Sequence, residues 1–188
     1  MLFRSQVALA GDDHLRGLVA GGVAAGLHGR LHQGGDLHAQ AIDLANIAIA
    51  GMLHGLQSRI LEMTLEYLGT RVQFDRPIGG FQLVQRKLAE MATSLDTGFL
   101  LAHRIGQLKD AHKVRAEQIS MGKFNNVRAS LDIAREARQI LGANGITLEY
   151  PVIRHMNNLE SVITYEGTHD IHSLVLGEAL TGIPAYKG

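Results

Sequence analysis

Leu44-x-x-Ile47-Ala48-x-x-x-Met52-x-x-x-Leu56-x-x-x-Ile60-x-x-Met63-x-x-x-Tyr67 places apolar side chains at three- and four-residue steps. That spacing is one face of a long helix, because 3.6 residues make a turn. Pro77 and Gly79-Gly80 are expected to stop it. A second helix is expected over about 81–112, with Leu83, Val84, Leu88, Met91, Leu95, Leu101, Ile105 and Leu108 inward. A third runs over about 115–141 and ends at Gly142-Ala143-Asn144-Gly145, where glycine tolerates a positive φ. Pro151 opens a short segment to about Met156, and a last helix covers about 169–180 before Gly182-Ile183-Pro184. Only 161–164 could read as a strand. Long helices joined by short connections pack antiparallel, so the fold class is all-α, an up-and-down four-helix bundle over 37–188.

Residues 1–36 read differently. Glycines (Gly21, Gly22, Gly26, Gly29, Gly34, Gly35) and histidines (His14, His28, His32) crowd the segment without a period. Each glycine costs about 1 kcal/mol against alanine inside a helix, so a poorly ordered leader, or the edge of an absent upstream domain, is expected. The chain has 188 residues, room for one well-buried domain. Eighteen basic residues balance eighteen acidic ones, which removes the electrostatic case for nucleic acid or an anionic membrane surface. The absence of cysteine excludes disulfides, thiolate metal sites and a cysteine nucleophile. No apolar run reaches the roughly 20 residues of a membrane span, and a soluble intracellular protein is expected.

Two segments carry chemistry. Tyr165-Glu166-Gly167-Thr168-His169-Asp170-Ile171-His172 sets a carboxylate at a glycine-containing turn just before an apolar helical run. A general base needs that placement, within reach of a proton and backed by a held helix. The plainer reading is a helix N-terminus whose dipole favours acidic residues. His169 and His172 stand at i, i+3 without a third histidine at ligand spacing, so no metal is expected. Arg71-Val72-Gln73-Phe74-Asp75-Arg76-Pro77-Ile78 offers a guanidinium and an amide beside an aromatic ring. Such a group suits a phosphate or pyrophosphate, although Arg71 could equally pair with Glu66 or Asp75. The methionines at 52, 63, 91 and 121 read as core filler, and Arg135, Glu136 and Arg138 as a solvated helix face.

With Tyr67-x-x-x-Arg71-x-Gln73-Phe74-x-x-Pro77-Ile78, Gln139-Ile140-Leu141-Gly142-Ala143-Asn144-Gly145-Ile146 and Tyr165-Glu166-Gly167-Thr168 in this order, the chain resembles the C-terminal helical domain of acyl-CoA dehydrogenases. Lys123-Phe124-Asn125-Asn126, Leu131-Asp132-Ile133-Ala134-Arg135 and Asn158-Leu159-Glu160 liken it most to the glutaryl-CoA dehydrogenases. So do Thr168-His169-Asp170-Ile171-His172 and the run from Ala179 to Ile183. The resemblance implies FAD and an acyl-CoA substrate, glutaryl-CoA with decarboxylation among them. Electrons would pass to an electron-transferring flavoprotein. Glu166 falls on the catalytic base, and its backbone N–H, with a flavin hydroxyl, would polarise the thioester oxygen. Thr168 and Asp170 match positions contacting FAD beside the base. Arg71, Gln73 and Phe74 match a segment reaching the flavin pyrophosphate of a neighbouring subunit, and Gln139 and Gly142 the strip along the adenosine half.

Tyr165 and Gly167 border the substrate in this comparison, and Asp43 matches the CoA-facing helix. A homo-oligomer, dimer or tetramer, is implied, in a bacterial cytoplasm or a mitochondrial matrix. Asp75 stands where the family usually has glycine, Ala143 replaces the second glycine of a pair, and Asn46 sits where arginine is common. The family's N-terminal helical and middle β domains have no counterpart in residues 1–36, so this chain alone is expected to leave the site incomplete. A non-catalytic assembly domain and an acyl-CoA oxidase, which shares the fold and the base, are the other readings.

Overall fold

A computed structural model describes residues 36–185, with side chains from residue 42. The Gly/His-rich leader, but for Asp36, lies outside the described residues. Five helices follow one another: α1 (Asp36–Thr70), α2 (Gln82–Asp110), α3 (Ala116–Leu141), α4 (Val152–Val162) and α5 (His169–Thr181). Cross-helix hydrogen bonds fix their directions. Asn126 Nδ2 donates to the Ala50 carbonyl at 3.0 Å, Gln57 Nε2 to Ser130 Oγ at 2.7 Å, and Tyr67 Oη contacts the Leu141 carbonyl at 3.5 Å. Residue numbers on α1 and α3 rise together, so these two helices run parallel. Asn126 also reaches the carbonyl of Gly98, and Lys87 bonds Glu136 and Gln139, so α2 runs against α3. Arg135 meets Glu160 at 3.3 Å, which ties α4 to α3. The fold is thus the expected all-α bundle, α1, α2 and α3 alternating in direction, with α4 and α5 both packed on α3.

Between α1 and α2 the structure departs from the simple helical reading. Helix α1 stops at Thr70, before Pro77, and a two-stranded hairpin intervenes: β1 (Val72–Gln73) against β2 (Arg76–Pro77), with Gln73 opposite Arg76. Its tip, Phe74 and Asp75, has φ of 52° and 59°, the left-handed pair that a tight two-residue hairpin turn requires. Asp75 sits where a glycine would be unstrained, and aspartate is among the few other residues that visit this region. Helix α4 outruns the expected end at Met156, and residues 161–164 are its last turn and the following bend rather than a strand.

The core forms where α1, α2, α3 and α4 meet. Ile60, Met91, Val127, Leu131, Val152 and Leu159 are all essentially sealed from solvent, each contributing about 1.5–3 kcal/mol on burial. Two side chains expected inward, Met52 and Leu83, are instead 64% and 71% exposed. The buried side of α1 lies across the helix from Met52, and it includes Asn46, His54, Gln57 and Ser58. The apolar stripe therefore misjudged which arc of α1 is covered. Met63 and Met91 do fill the core, while Met121 joins Met52 at the surface.

Asn126 is the polar junction of three helices, and a Cβ on Gly98 would meet its Oδ1 at 3.0 Å. Removing the Asn126 amide leaves Gln57 and Ser130 in place but strips the ties to α1 and α2. Asn126→Ala should cost about 1–3 kcal/mol, seen as a lower urea midpoint with an unchanged m-value.

Candidate active site

Glu166 lies in the connection between α4 and α5. Its φ is +55° and that of the following Gly167 is +91°. Two successive left-handed residues reverse the chain sharply, and a non-glycine there is held by its surroundings. Those surroundings come from α3. The Lys123 ammonium donates to the Tyr165 carbonyl and, at 2.6 Å, to the Gly167 carbonyl, the acceptors on either side of Glu166. Lys123 is only 1% exposed. Burial pulls its pKa down to about 8, against the opposing pull of the nearby Glu166 carboxylate. The Tyr165 ring lies 5.6 Å from the same ammonium.

Beneath the turn, His172 is 5% exposed, and a Cβ on Gly167 would lie 3.0 Å from its Nε2. Burial, then the Lys123 charge, lower the His172 pKa. Among the described residues neither ring nitrogen has a hydrogen-bond partner of ordinary geometry, while the backbone of Glu166 and Gly167 lies close enough to oppose that lowering. His169 stacks on Phe124 at 4.0 Å between centroids, so the two histidines are engaged on different surfaces. Thr168 caps α5: its Oγ1 accepts the Ile171 N–H at 3.3 Å, leaving the hydroxyl proton free to donate outward. Asp170 occupies the first turn of α5, exposed. The Glu166 side chain makes no hydrogen bond or ion pair among the described residues and is exposed.

The Arg71 segment forms a second cluster. Tyr67 accepts from Asn144 Nδ2 at 3.1 Å, which joins the end of α1 to the 3-10 turn Gly142–Ile146. Gly145 is wedged against the backbone of Arg138, and Gly142 takes φ of 60° with open space around it. Ala143 lies exposed in the same turn. Arg71 pairs with neither Glu66 nor Asp75, and its guanidinium is unpartnered among the described residues. Gln73 bonds the Val72 carbonyl, and Phe74 is 87% exposed against Phe81, over which Arg76 also lies. Gln139 accepts from Lys87, which also pairs with Glu136, so Glu136 is tied rather than merely solvated. A free guanidinium, amides and a bulky aromatic on a strained tip fit a phosphate-bearing, planar ligand.

The two clusters stand at opposite ends of α3. From Lys123 to Gln139 is roughly 24 Å along the axis at 1.5 Å per residue. Asp43 belongs to the Lys123 end, one helical stretch before Ala50, and desolvation raises its pKa. Asn46 beside it is buried with Oδ1 unpartnered. Sequence periodicity had the means to find Lys123: Ile119, Lys123, Asn126, Val127 and Ser130 share one buried face at helical spacing. What it could not supply was the pair of carbonyls that the ammonium meets.

The sequence model of the acyl-CoA dehydrogenase C-terminal domain matches residues 32–181. The chain belongs to the acyl-CoA dehydrogenase family. It is 34% identical over 137 residues to human mitochondrial short-chain specific acyl-CoA dehydrogenase, covering 73% of this chain and 33% of that one. Glutaryl-CoA dehydrogenase from Mycobacterium smegmatis superposes with a TM-score of 0.77 at 52% identity, over 79% of this chain and 38% of that one. A structure of a glutaryl-CoA dehydrogenase from the same organism in complex with FADH2 gives 0.76 at 50% identity, over 78% and 38%. The likeness to glutaryl-CoA dehydrogenases is therefore met in three dimensions. This chain spans about a third of the length of the human relative. Among the described residues no helix is long and apolar enough to cross a membrane.

Lys123 makes stability depend on pH with a definite sign. Its folded pKa, about 8, lies below the ordinary lysine value of 10.5. Between them the unfolded chain holds a proton that the folded chain has released, so stability rises with pH across that window. Urea midpoints of the wild type should rise from pH 8 to 10.5 relative to those of Lys123→Met, which lacks the titrating group.

Proposed function

We propose that this chain is the C-terminal helical domain of an FAD-dependent acyl-CoA dehydrogenase, with Glu166 as the base that removes the α-proton of the thioester. The observation that carries the reading is a free, outward carboxylate on a clamped turn whose Glu166 N–H also finds no acceptor among the described residues. A base and an oxyanion donor from one residue can serve the two ends of an enolising thioester. Glu166 takes the proton, and its N–H donates to the oxygen where negative charge develops. Tyr165 and Gly167 border the substrate, and Asp43 lies along the CoA. Bound FAD would supply the acceptor for the hydride leaving the β-carbon.

Thr168 and Asp170 would hold FAD beside the base, the Thr168 hydroxyl having a proton to give. Arg71, Gln73 and Phe74 would hold the pyrophosphate of a neighbouring subunit's FAD, with Gln139 and Gly142 along the adenosine half. The distance between the two ends of α3 favours this division, because one copy cannot bring Arg71 to the flavin beside its own Glu166. A homodimer or homotetramer follows. The likeness to glutaryl-CoA dehydrogenases supports a short acyl-CoA, glutaryl-CoA included, and electron-transferring flavoprotein as the acceptor. A bacterial cytoplasm or a mitochondrial matrix suits such an enzyme.

In the FAD-loaded enzyme carrying this domain, Glu166→Gln keeps the backbone donor but cannot accept a proton. Flavin bleaching by acyl-CoA in a rapid-mixing experiment should slow by about 10²–10⁴-fold while FAD stays bound. Arg71→Ala should do the reverse, losing FAD more than rate in the molecules that keep it. Unchanged bleaching by Glu166→Gln would remove the base and leave an assembly domain as the better reading.

A further inference from the structure

We propose that Lys123 is the positioning residue of the active turn: by holding the Tyr165 and Gly167 carbonyls inward, it fixes the left-handed backbone of Glu166 and aims the Glu166 N–H outward. The inference rests on the reading of Glu166 as base and oxyanion donor. Its geometry begins with the peptide bond. In a planar trans peptide the C=O and the following N–H point in opposite directions. The Tyr165 carbonyl points at Lys123, on the buried face of α3. The N–H across that peptide is that of Glu166, so it points away from α3. By the same rule the Gly167 carbonyl, held at 2.6 Å, turns the Thr168 N–H outward.

An ammonium suits the task. It has three donors and no acceptor, and two donors are spent on the two carbonyls. Charge-assisted bonds are about twice as strong as neutral ones, which offsets the strain of a glutamate at φ +55°. The floor beside it is the buried ring of His172. His172 is packed against Gly167, and a Gly167 side chain would collide with its ring. The turn therefore cannot sink toward α5 if the lysine lets go. It can only loosen outward, where neither Glu166 group has a partner.

Hydrogen exchange on the full chain reads the clamp without any chemistry. Lys123→Met keeps the length and apolar stem and removes all three donors. Exchange of the His169 and Ile171 amides, which donate to the Ile163 carbonyl and the Thr168 hydroxyl across the end of the turn, should quicken by at least about 10-fold, while the amides of α3 around Val127 and Leu131 keep their protection. Lys123→Arg, which retains charge and donors, should recover part of the protection.

In the FAD-loaded enzyme Lys123→Met should lower kcat by about 10²-fold, the cost of one displaced oxyanion donor, with KM nearly unchanged. His169 and Ile171 amides that exchange in Lys123→Met as they do in the wild type overturn the inference. Faster exchange with kcat intact overturns the catalytic half of it. Failure of the base assignment looks different: Glu166→Gln then bleaches normally while Lys123→Met still loosens the turn.

Discussion

Burial of α3 on nearly every side is the constraint from which the rest of the structure follows. The helix leaves only a narrow exposed stripe through Met121, Asn125, Arg128, Asp132, Arg135 and Gln139, and the other arcs meet α1, α2, α4 and α5. A helix in that position cannot carry polar side chains unless each finds a partner, since an unpaired buried polar group costs several times what a bond gains. Asn126 and Ser130 find theirs in α1 and α2. Lys123 finds its in a turn that belongs to no helix. The buried polar residues of α3 therefore do two jobs with one kind of chemistry. Those in the middle fix how the helices register, and the one near its N-terminal end fixes a loop.

The same helix also sets the distance between the two functional clusters. Its length keeps the Glu166 turn and the Arg71 hairpin apart, and its rigidity keeps that separation constant. Tyr67 completes the arrangement at the far end, bridging α1 to the turn at Gly142 through Asn144. The hairpin beyond it is strained and exposed: Phe74 has a positive φ, is largely open to solvent and meets the Phe81 ring edge-on. Strain of that sort costs of order 1–3 kcal/mol per residue.

Much of this was legible in the sequence because local rules and tertiary demands agree. The breaks near 112–115 and 142–150, the cap at Thr168 and the end at Gly182 all follow from residues whose backbone preferences match their places. The hairpin was hidden because its two strands are two residues long, and Phe74-Asp75 is not a pair that advertises a left-handed turn. The exposed positions of Met52 and Leu83 were hidden for another reason. Periodicity reports where apolar side chains cluster, whereas α1 is covered along an arc that also holds Asn46, His54, Gln57 and Ser58. No one-dimensional pattern assigns polar residues to a core, because their acceptability depends on a partner supplied from elsewhere in the chain.

That limit applies with most force to the site itself. The carboxylate at Glu166 can be read from its neighbours in sequence, but its backbone conformation cannot. A glutamate has no intrinsic preference for φ near +55°, and Gly167 alone would permit many turns. The conformation becomes unique only when two carbonyls are drawn to one buried ammonium 42 and 44 residues away. An ion desolvated in this way is a poor source of stability, and the depressed lysine pKa is the sign of that cost. Its use lies in direction: a point charge beneath the turn orients two peptide dipoles at once, which an apolar residue of the same size could not do.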